Sequence, residues 1–409
     1  MASKIKVLFT APHISPAATG EGYVGFKWAE ALSQRVDLTV LAFQSAKHAP
    51  LGEQLPLATV HTWPQPRAFL QATPFRTMLK PEYPAFLWRV RSFMAANADK
   101  FDLAHQFLPM AMRYPTPLLG YGVPYIMGPL GGGLDSPAGF AQEASSTGWF
   151  TKLRNLDKYR RRFDPWLRST YSNAELVLGV APYIRENLAG IPLKRYENLL
   201  ELGIDELAPV KPARDTADIS LLHVGRAVRT KGLREVVKAL SLLRDRPGIR
   251  LVSAGGGEEV DICKREAEKL GVADRVTFLG RVSRARVEEL YTQADAFVFP
   301  SFREPTGGVL YEAMRWGLPI VAARYGGPAS IVDESCGIMV DARDSTQMAT
   351  DVAAAITRLA DDRELRERLG AGARAKVAGE LWQSKADRLV ALYQQVLEDS
   401  KRPPLRLSA

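Results

Sequence analysis

Two glutamates flank a glycine-rich turn in the second half of the chain. Glu304 precedes Gly307 and Gly308, and Glu312 follows with seven residues between the two carboxylates. Glycines let a ligand approach the backbone, and the helix predicted from Val309 offers unpaired N–H groups and the positive end of its dipole. The pattern predicts a phosphate cradle whose two carboxylates accept hydrogen bonds from a sugar and a ribose. Taken singly, each glutamate also fits an ordinary surface charge.

Two cations follow a predicted strand in the same half. Arg226 and Lys231 stand directly after Ser220–Val224. Positive groups at a strand end suit a leaving diphosphate, because charge builds on the leaving oxygen as the bond breaks. The sequence has no Asp-x-Asp motif to anchor a divalent ion. We therefore expect no metal site, no cofactor, and a reaction that runs without metal.

This constellation resembles the signature of retaining glycosyltransferases of the large family 4, which have the GT-B fold. The matching residues are Glu304 and Glu312 in an E-x7-E pattern, Glu312-Ala313-Met314, Gly317-Leu318-Pro319, Gly225-Arg226 and Lys231-Gly232. The resemblance implies that Arg226 and Lys231 hold the donor diphosphate while Glu304 positions the sugar. It also implies retention of anomeric configuration, with a donor phosphate oxygen taking the acceptor's proton.

The resemblance extends to other loops. It implies that Arg281 and Val282 lie against the nucleotide base and that Gly256, in Ser253–Gly257, belongs to a donor-side loop. A solvated strand-end charge is the alternative for Arg281. In the first half, Gly20 and Gly22 stand where relatives place a glycine-rich loop against the diphosphate. Read alone, that stretch fits a flexible turn equally well, because it lacks Gly-Lys-Ser/Thr.

One histidine is a further candidate. His105 ends a predicted strand and would face a cleft, where imidazole binds a hydroxyl or shuttles a proton. A structural histidine is the alternative. Well-studied relatives place a histidine after the next strand, where this chain has Met127–Gly133; the 128–133 loop would instead supply backbone groups.

The elements that must position these residues alternate between strand and helix, which predicts parallel sheets. The expected fold class is α/β, with two doubly wound Rossmann-like domains facing across a cleft. Strands are predicted around residues 6–9, 38–41, 103–105, 125–127, 176–180, 220–224, 250–253, 276–279, 296–299 and 319–322. The predicted division is an acceptor-side domain at 1–205, a linker at 206–217, a nucleotide-sugar domain at 218–380 and a helix at 381–400 that returns to the first domain.

Composition bears on the ligands and the cellular location of the protein. The 54 Lys and Arg against 45 Asp and Glu give a net charge of +9, which is compatible with anionic ligands or membrane surfaces. Two cysteines, no signal peptide and no long apolar segment favour a cytoplasmic protein. Residues 152–168 concentrate basic and aromatic side chains and suit peripheral contact with the inner face of an anionic membrane, or a lipid-linked acceptor; an ordinary solvated helix is the alternative.

The sequence therefore predicts a glycosyltransferase acting on a nucleotide-sugar donor and a glycan, lipid-linked or small-molecule acceptor, in glycan, glycolipid or polysaccharide synthesis. A GT-B epimerase or phosphorylase and a non-catalytic sugar-nucleotide-binding protein are the alternatives. A nicotinamide-dependent oxidoreductase is disfavoured because Gly255–Val260 lacks the third glycine of the dinucleotide fingerprint. No nucleic-acid motif is present.

Overall fold

The computed structural model describes residues 4–46, 48–66, 80–143, 154–210 and 218–401. Strands within them are β1 Lys6–Thr10, β2 Asp37–Gln44, β3 Thr59–Pro64, β4 Leu103–Gln106, β5 Tyr125–Leu130, β6 Leu176–Gly179, β7 Tyr196–Asn198, β8 Ile219–Val224, β9 Ile249–Ala254, β10 Val276–Gly280, β11 Ala296–Phe299, β12 Ile320–Ala323 and β13 Gly337–Val340. Helices are α1 Glu21–Ser33, α2 Leu51–Gln54, α3 Tyr83–Asn97, α4 Arg154–Phe163, α5 Pro165–Ser172, α6 Tyr183–Asn187, α7 Leu233–Ser241, α8 Glu259–Leu270, α9 Arg284–Gln293, α10 Gly308–Arg315, α11 Pro328–Ile331, α12 Ser345–Asp361, α13 Arg363–Ala378 and α14 Trp382–Lys401.

The chain forms two compact units. The first contains the described residues of Met1–Gly133, Gly148–Glu201 and Trp382–Ala409, and the second those of Leu134–Thr147 and Leu202–Leu381. The second unit also takes in residues 134–143 and 202–205, which the predicted division placed in the first domain, and residues 206–210 of the predicted linker. Part of the predicted linker, 211–217, lies outside the described residues.

Each unit is built on one parallel sheet. The first has the order β3-β2-β1-β4-β5-β6-β7 and the second β10-β9-β8-β11-β12-β13. Both orders reverse direction once, between β1 and β4 and between β8 and β11. Ligands of doubly wound sheets bind beyond the carboxyl ends of the strands at such a switch point. The loops after β8 and β11 are therefore where the second unit would hold a ligand.

The last helix, α14, belongs to the first unit. Its apolar side chains Leu389, Leu392, Tyr393 and Val396 recur at helical spacing and are all buried. Arg35, just after α1, forms an ion pair with Asp387 of α14 at 2.5 Å. The helix is thus fixed to the first sheet by one apolar face.

Local sequence explains some element boundaries. Ser283 caps α9, since its hydroxyl accepts a hydrogen bond from the Arg286 N–H at 3.2 Å. The sequence pattern missed β3, β7 and β13, which are edge strands. No residue of β3 or β7 is fully buried, so these two strands lack the apolar run of a central strand. Helix α1 begins at Glu21, although Gly22 and Gly25 weaken the helical pattern of its first turns.

Candidate functional site

Lys231 and Glu304 meet at the switch point of the second sheet. Lys231 follows β8 and Glu304 follows β11, and the ammonium forms an ion pair with Glu304 Oε2. The two side chains are only 12% and 13% exposed. The ammonium also lies 5.6 Å from the centre of the Phe299 ring. A largely buried charge pair at the carboxyl edge of a sheet is a site held ready for a polar ligand.

Backbone contacts bring the loops after β8 and β11 together. The Thr230 carbonyl accepts hydrogen bonds from the Ser301 hydroxyl at 2.9 Å and from the Phe302 N–H at 3.2 Å. Gly232 has φ +74°, and a Cβ there would lie 2.2 Å from the Pro300 carbonyl oxygen. Only glycine permits this approach, so Gly232 is required for Lys231 to reach Glu304.

His223 holds the backbone of Lys231 through a hydrogen bond. It is fully buried on β8, and its Nε2 donates to the Lys231 carbonyl at 3.1 Å. Burial lowers the pKa of His223 to about 4, so the ring is neutral. Sequence reasoning treated His223 only as part of a strand, since a single histidine in an apolar run carries no functional signal.

The turn before α10 adopts the predicted geometry of an open helix start. Gly307 is the N-cap with φ 97° and no side-chain cap, and α10 begins at Gly308. Val309, in the first turn, is partly buried. The Gly327 N–H donates to the Glu304 carbonyl at 2.8 Å and holds the loop against α11. The first turn thus leaves backbone donors without a side-chain acceptor close to Glu304.

Glu312 occupies a separate environment on α10. Its Oε2 accepts a hydrogen bond from the buried Tyr291 hydroxyl of α9 at 3.2 Å, so its partner is not the Lys231–Glu304 pair. Desolvation raises the pKa of Glu312, although part of the residue remains exposed to solvent. The structure therefore gives the two glutamates different surroundings, and Tyr291 is a neighbour that spacing alone did not indicate.

Arg226 follows β8 and Arg281 follows β10, and the loop after β9 lies between these two loops at the carboxyl edge of the sheet. Arg226 is exposed, and within the described residues no ion pair or hydrogen bond engages its guanidinium. Gly256, after β9, adjoins Arg281, since a Cβ at Gly256 would lie 3.6 Å from Arg281 Cβ. Val282 is partly buried beside them. These loops present cations at the same sheet edge as Lys231.

A short segment, residues 134–143, braces the site, and we call it the strap. Its Phe140 ring stacks on Phe302 at 4.0 Å between centres with 12° between planes, and Phe140 is fully buried. Phe302 stands two residues before Glu304 in the chain. Glu143 of the strap pairs with Arg229, which also makes two hydrogen bonds to the buried Glu235, at 2.8 and 2.6 Å. No sequence pattern pointed to the strap, because its contacts are distant in the chain.

The structure does not support a direct role for His105. The residue is fully buried in the first unit, its Nδ1 lies 2.6 Å from the Tyr393 hydroxyl of α14, and its Nε2 lies 2.6 Å from the Gly128 carbonyl oxygen. Both ring nitrogens are occupied, and burial lowers its pKa to about 4. A strand-end histidine can face solvent or the core, and here the docking of α14 covers it.

The predicted glycine loop of the first unit lies after β1. Gly20 is the N-cap of α1 with φ 61° and has open space around it. Gly22 packs against the preceding turn, where a Cβ would lie 3.0 Å from Ala18 Cβ. In the 128–133 loop, Gly132 is exposed with open space around it. Gly20, Gly22 and Gly132 all belong to the first unit. Contact of these glycines with a ligand stays a prediction.

A cavity of about 300 Å³ lies at the opposite edge of the second sheet, beside Trp316, Leu318 and Pro319. Its Arg374 donates to the backbone carbonyls of Ala208 and Arg315, so that arginine serves packing. Among the described residues, no group of three or more His, Cys, Asp and Glu side chains is arranged to hold a metal ion. In the same residues, no helix combines the length and apolarity needed to cross a bilayer.

Comparison with known proteins agrees with the geometry of the second unit. Residues 205–376 match the family model described as Glycosyl transferases group 1. The chain is 35% identical over 216 residues to D-inositol 3-phosphate glycosyltransferase of Mycobacteroides abscessus, a match that covers 49% of this chain and 46% of that protein. The chain thus spans about half the length of the curated relatives it matches.

Solved structures resemble the whole chain. Sucrose-phosphate synthase from Thermosynechococcus elongatus has a TM-score of 0.65 at 20% identity and covers 97% of this chain and 100% of its own. Anabaena HepE, solved with UDP and glucose, has a TM-score of 0.57 at 18% identity and covers 96% and 99%. The predicted fold class is confirmed: two parallel α/β sheets of the GT-B fold. Residues 205–376 thus resemble group 1 glycosyltransferases, and the solved structures share the fold of the chain.

Proposed function

We propose that this protein transfers a sugar from a nucleoside-diphosphate sugar to an acceptor hydroxyl, with retention of anomeric configuration and without metal. The observation that carries the proposal is the Lys231–Glu304 pair at the switch point of the second sheet, beside an unpaired Arg226. A diphosphate supplies the anion that Arg226 lacks, and a sugar supplies hydroxyl donors to Glu304.

When the donor binds, Lys231 and Glu304 would exchange their mutual ion pair for contacts with the donor. In the free protein Lys231 neutralises Glu304, so neither charge is left alone in a largely buried position. In the complex, Lys231 and Arg226 would face the diphosphate while Glu304 accepts hydrogen bonds from the sugar. The open start of α10, at Gly307 and Gly308, would add its dipole. Glu312, next to Tyr291, would accept from the ribose.

Catalysis would follow from charge development. The bond between the anomeric carbon and the diphosphate oxygen breaks, the nucleoside diphosphate leaves, and the acceptor oxygen forms the new bond on the same face. The acceptor's proton passes to a donor phosphate oxygen, so no protein nucleophile is needed. Lys231 and Arg226 stabilise the charge on the leaving oxygen, which is where fixed cations lower the barrier most.

The donor class is supported by the HepE structure, which holds UDP and glucose. The relatives' names include inositol phosphate glycosyltransferase, glycogen synthase and sucrose-phosphate synthase, whose acceptors differ widely. We therefore propose a UDP-sugar as the first donor to test and leave the acceptor as a glycan, a lipid-linked compound or a small molecule. A cytoplasmic place of action is part of the proposal, as the cysteine content predicts.

The test combines binding with turnover. UDP, ADP and GDP are compared by thermal shift, where a ligand that binds the folded state raises the melting temperature. UDP-sugars are then assayed for release of UDP and for product configuration, with and without a chelator. Glu304→Ala should lose turnover, whereas Glu268→Ala, at an exposed glutamate of α8, should not. Activity that a chelator abolishes and magnesium restores would overturn metal independence.

Product analysis separates the alternatives. A phosphorylase would yield a sugar phosphate, and an epimerase would yield a free epimer without an acceptor. A non-catalytic binding protein would shift in melting temperature with UDP but release none from a UDP-sugar. Normal turnover in Glu304→Ala would remove the proposed site.

A further inference from the structure

Helix α4 exposes apolar side chains that a surface helix normally buries. Leu156, Tyr159 and Phe163 are 55%, 66% and 67% exposed. They are three and four residues apart, so they share one face of the helix. Trp166, at the start of α5, continues the group at 44% exposed. We call these four residues the apolar stripe.

The polar side of the same helix is turned inward. Asp157 is 18% exposed and pairs with Arg113 at 2.9 Å. Arg161, four residues later on the same face, is partly buried. Two charged side chains of this helix therefore face the protein, while its apolar side chains face solvent. Exposed apolar groups that cluster, rather than scatter, indicate an interaction surface.

Cations border the stripe. Lys158 and Arg162 are exposed, and the Arg162 guanidinium lies 5.5 Å from the centre of the Phe163 ring. Arg160 pairs with Asp164 at 2.9 Å, so the nearby acid is already neutralised. Lys152 and Leu153, which belong to the predicted basic segment, lie outside the described residues. The described surface thus combines aromatic groups with excess positive charge.

We propose that the stripe and its bordering cations dock this protein on an anionic lipid surface. The aromatic and aliphatic side chains would enter the interfacial region while Lys158 and Arg162 contact acidic headgroups. Charge complementarity selects a lipid surface of negative sign. The inference goes beyond the transferase proposal and does not depend on it, because docking requires neither donor nor catalysis.

Vesicle co-sedimentation tests the proposal with the full chain. Vesicles of phosphatidylcholine alone are compared with vesicles that also contain an equal amount of phosphatidylglycerol. We expect binding only to the mixed vesicles, weakened by salt. The double variants Tyr159→Ser with Phe163→Ser, and Lys158→Gln with Arg162→Gln, should each weaken binding by on the order of tenfold or more. These side chains are exposed, so the variants should melt at the wild-type temperature.

Trp88→Ser is the matched control. Trp88 is 60% exposed and has Arg89 at 5.2 Å from its ring centre, yet it lies on α3, outside the stripe. Its replacement should leave vesicle binding unchanged. Failure to bind mixed vesicles, equal binding to phosphatidylcholine alone, or equal loss in the control would overturn the proposal. The proposal would also be overturned if the protein bound no vesicles and the Tyr159→Ser with Phe163→Ser variant differed from the wild type in oligomeric state. A second copy of the chain would then be the partner of the apolar stripe.

Discussion

Variants of Lys231 and Glu304 can separate the contribution of this ion pair to catalysis from its contribution to stability. Each side chain is about one-eighth exposed, so removal of one leaves the other charge largely buried without a partner. Such losses cost about 3–5 kcal/mol in fully buried pairs, and the partial exposure here favours the lower end. We therefore expect Lys231→Met and Glu304→Met each to lower the free energy of unfolding by about 3 kcal/mol.

The double variant should behave differently. With both charges replaced by methionine no unpaired ion remains, and replacement of a buried pair by apolar groups is often neutral. The double variant should thus be nearly as stable as the wild type, with a coupling energy whose magnitude is near the sum of the two single costs. Its turnover should still fall at least about 100-fold, because a lost group that stabilises developing charge costs about 2.7–4 kcal/mol of activation energy.

Urea titration gives the stabilities and UDP release gives the rates. A double variant as unstable as the two single changes added together would refute the coupling of the pair. A stable double variant that keeps normal turnover would refute its place in the site. A stable but inactive double variant is the outcome that assigns the charges to chemistry.

Three further outcomes follow from the described contacts. Arg226→Ala should leave stability within about 0.5 kcal/mol of the wild type, because the side chain is exposed and unpaired, yet weaken UDP binding by about 10–100-fold, measured by titration calorimetry. Phe140→Ala should destabilise the second unit by about 3–5 kcal/mol in urea titration, whereas Glu143→Gln, at a partly exposed position, should cost much less. Burial lowers the pKa of His105 and of His223 to about 4 from 6.5, so the unfolded chain binds more protons between these values. Stability should therefore fall by about 3 kcal/mol for each histidine as pH drops from 6.5 to 4, and unfolding that is independent of pH in this window would contradict their burial.

The sequence by itself determined the α/β class, the parallel sheets and the loops that carry candidate chemistry. Alternation of apolar strands and helices is a local property, so β1, β8 and β11 were predicted close to their observed bounds. The family resemblance placed the cations after β8 and the glutamate after β11 around one donor, which agrees with the shared edge of the carboxyl ends of parallel strands. Lys231 and Glu304 are indeed in contact.

Only the tertiary structure decided which side chains have atoms available to a ligand. His105 lies in β4, where α14 covers it, whereas Lys231 lies in the loop after β8 and meets Glu304 at the sheet edge. The strap was likewise not predictable from the sequence, because the stacking of Phe140 on Phe302 joins residues far apart in the chain. Burial and pairing depend on such distant contacts, and no local pattern of residues encodes them.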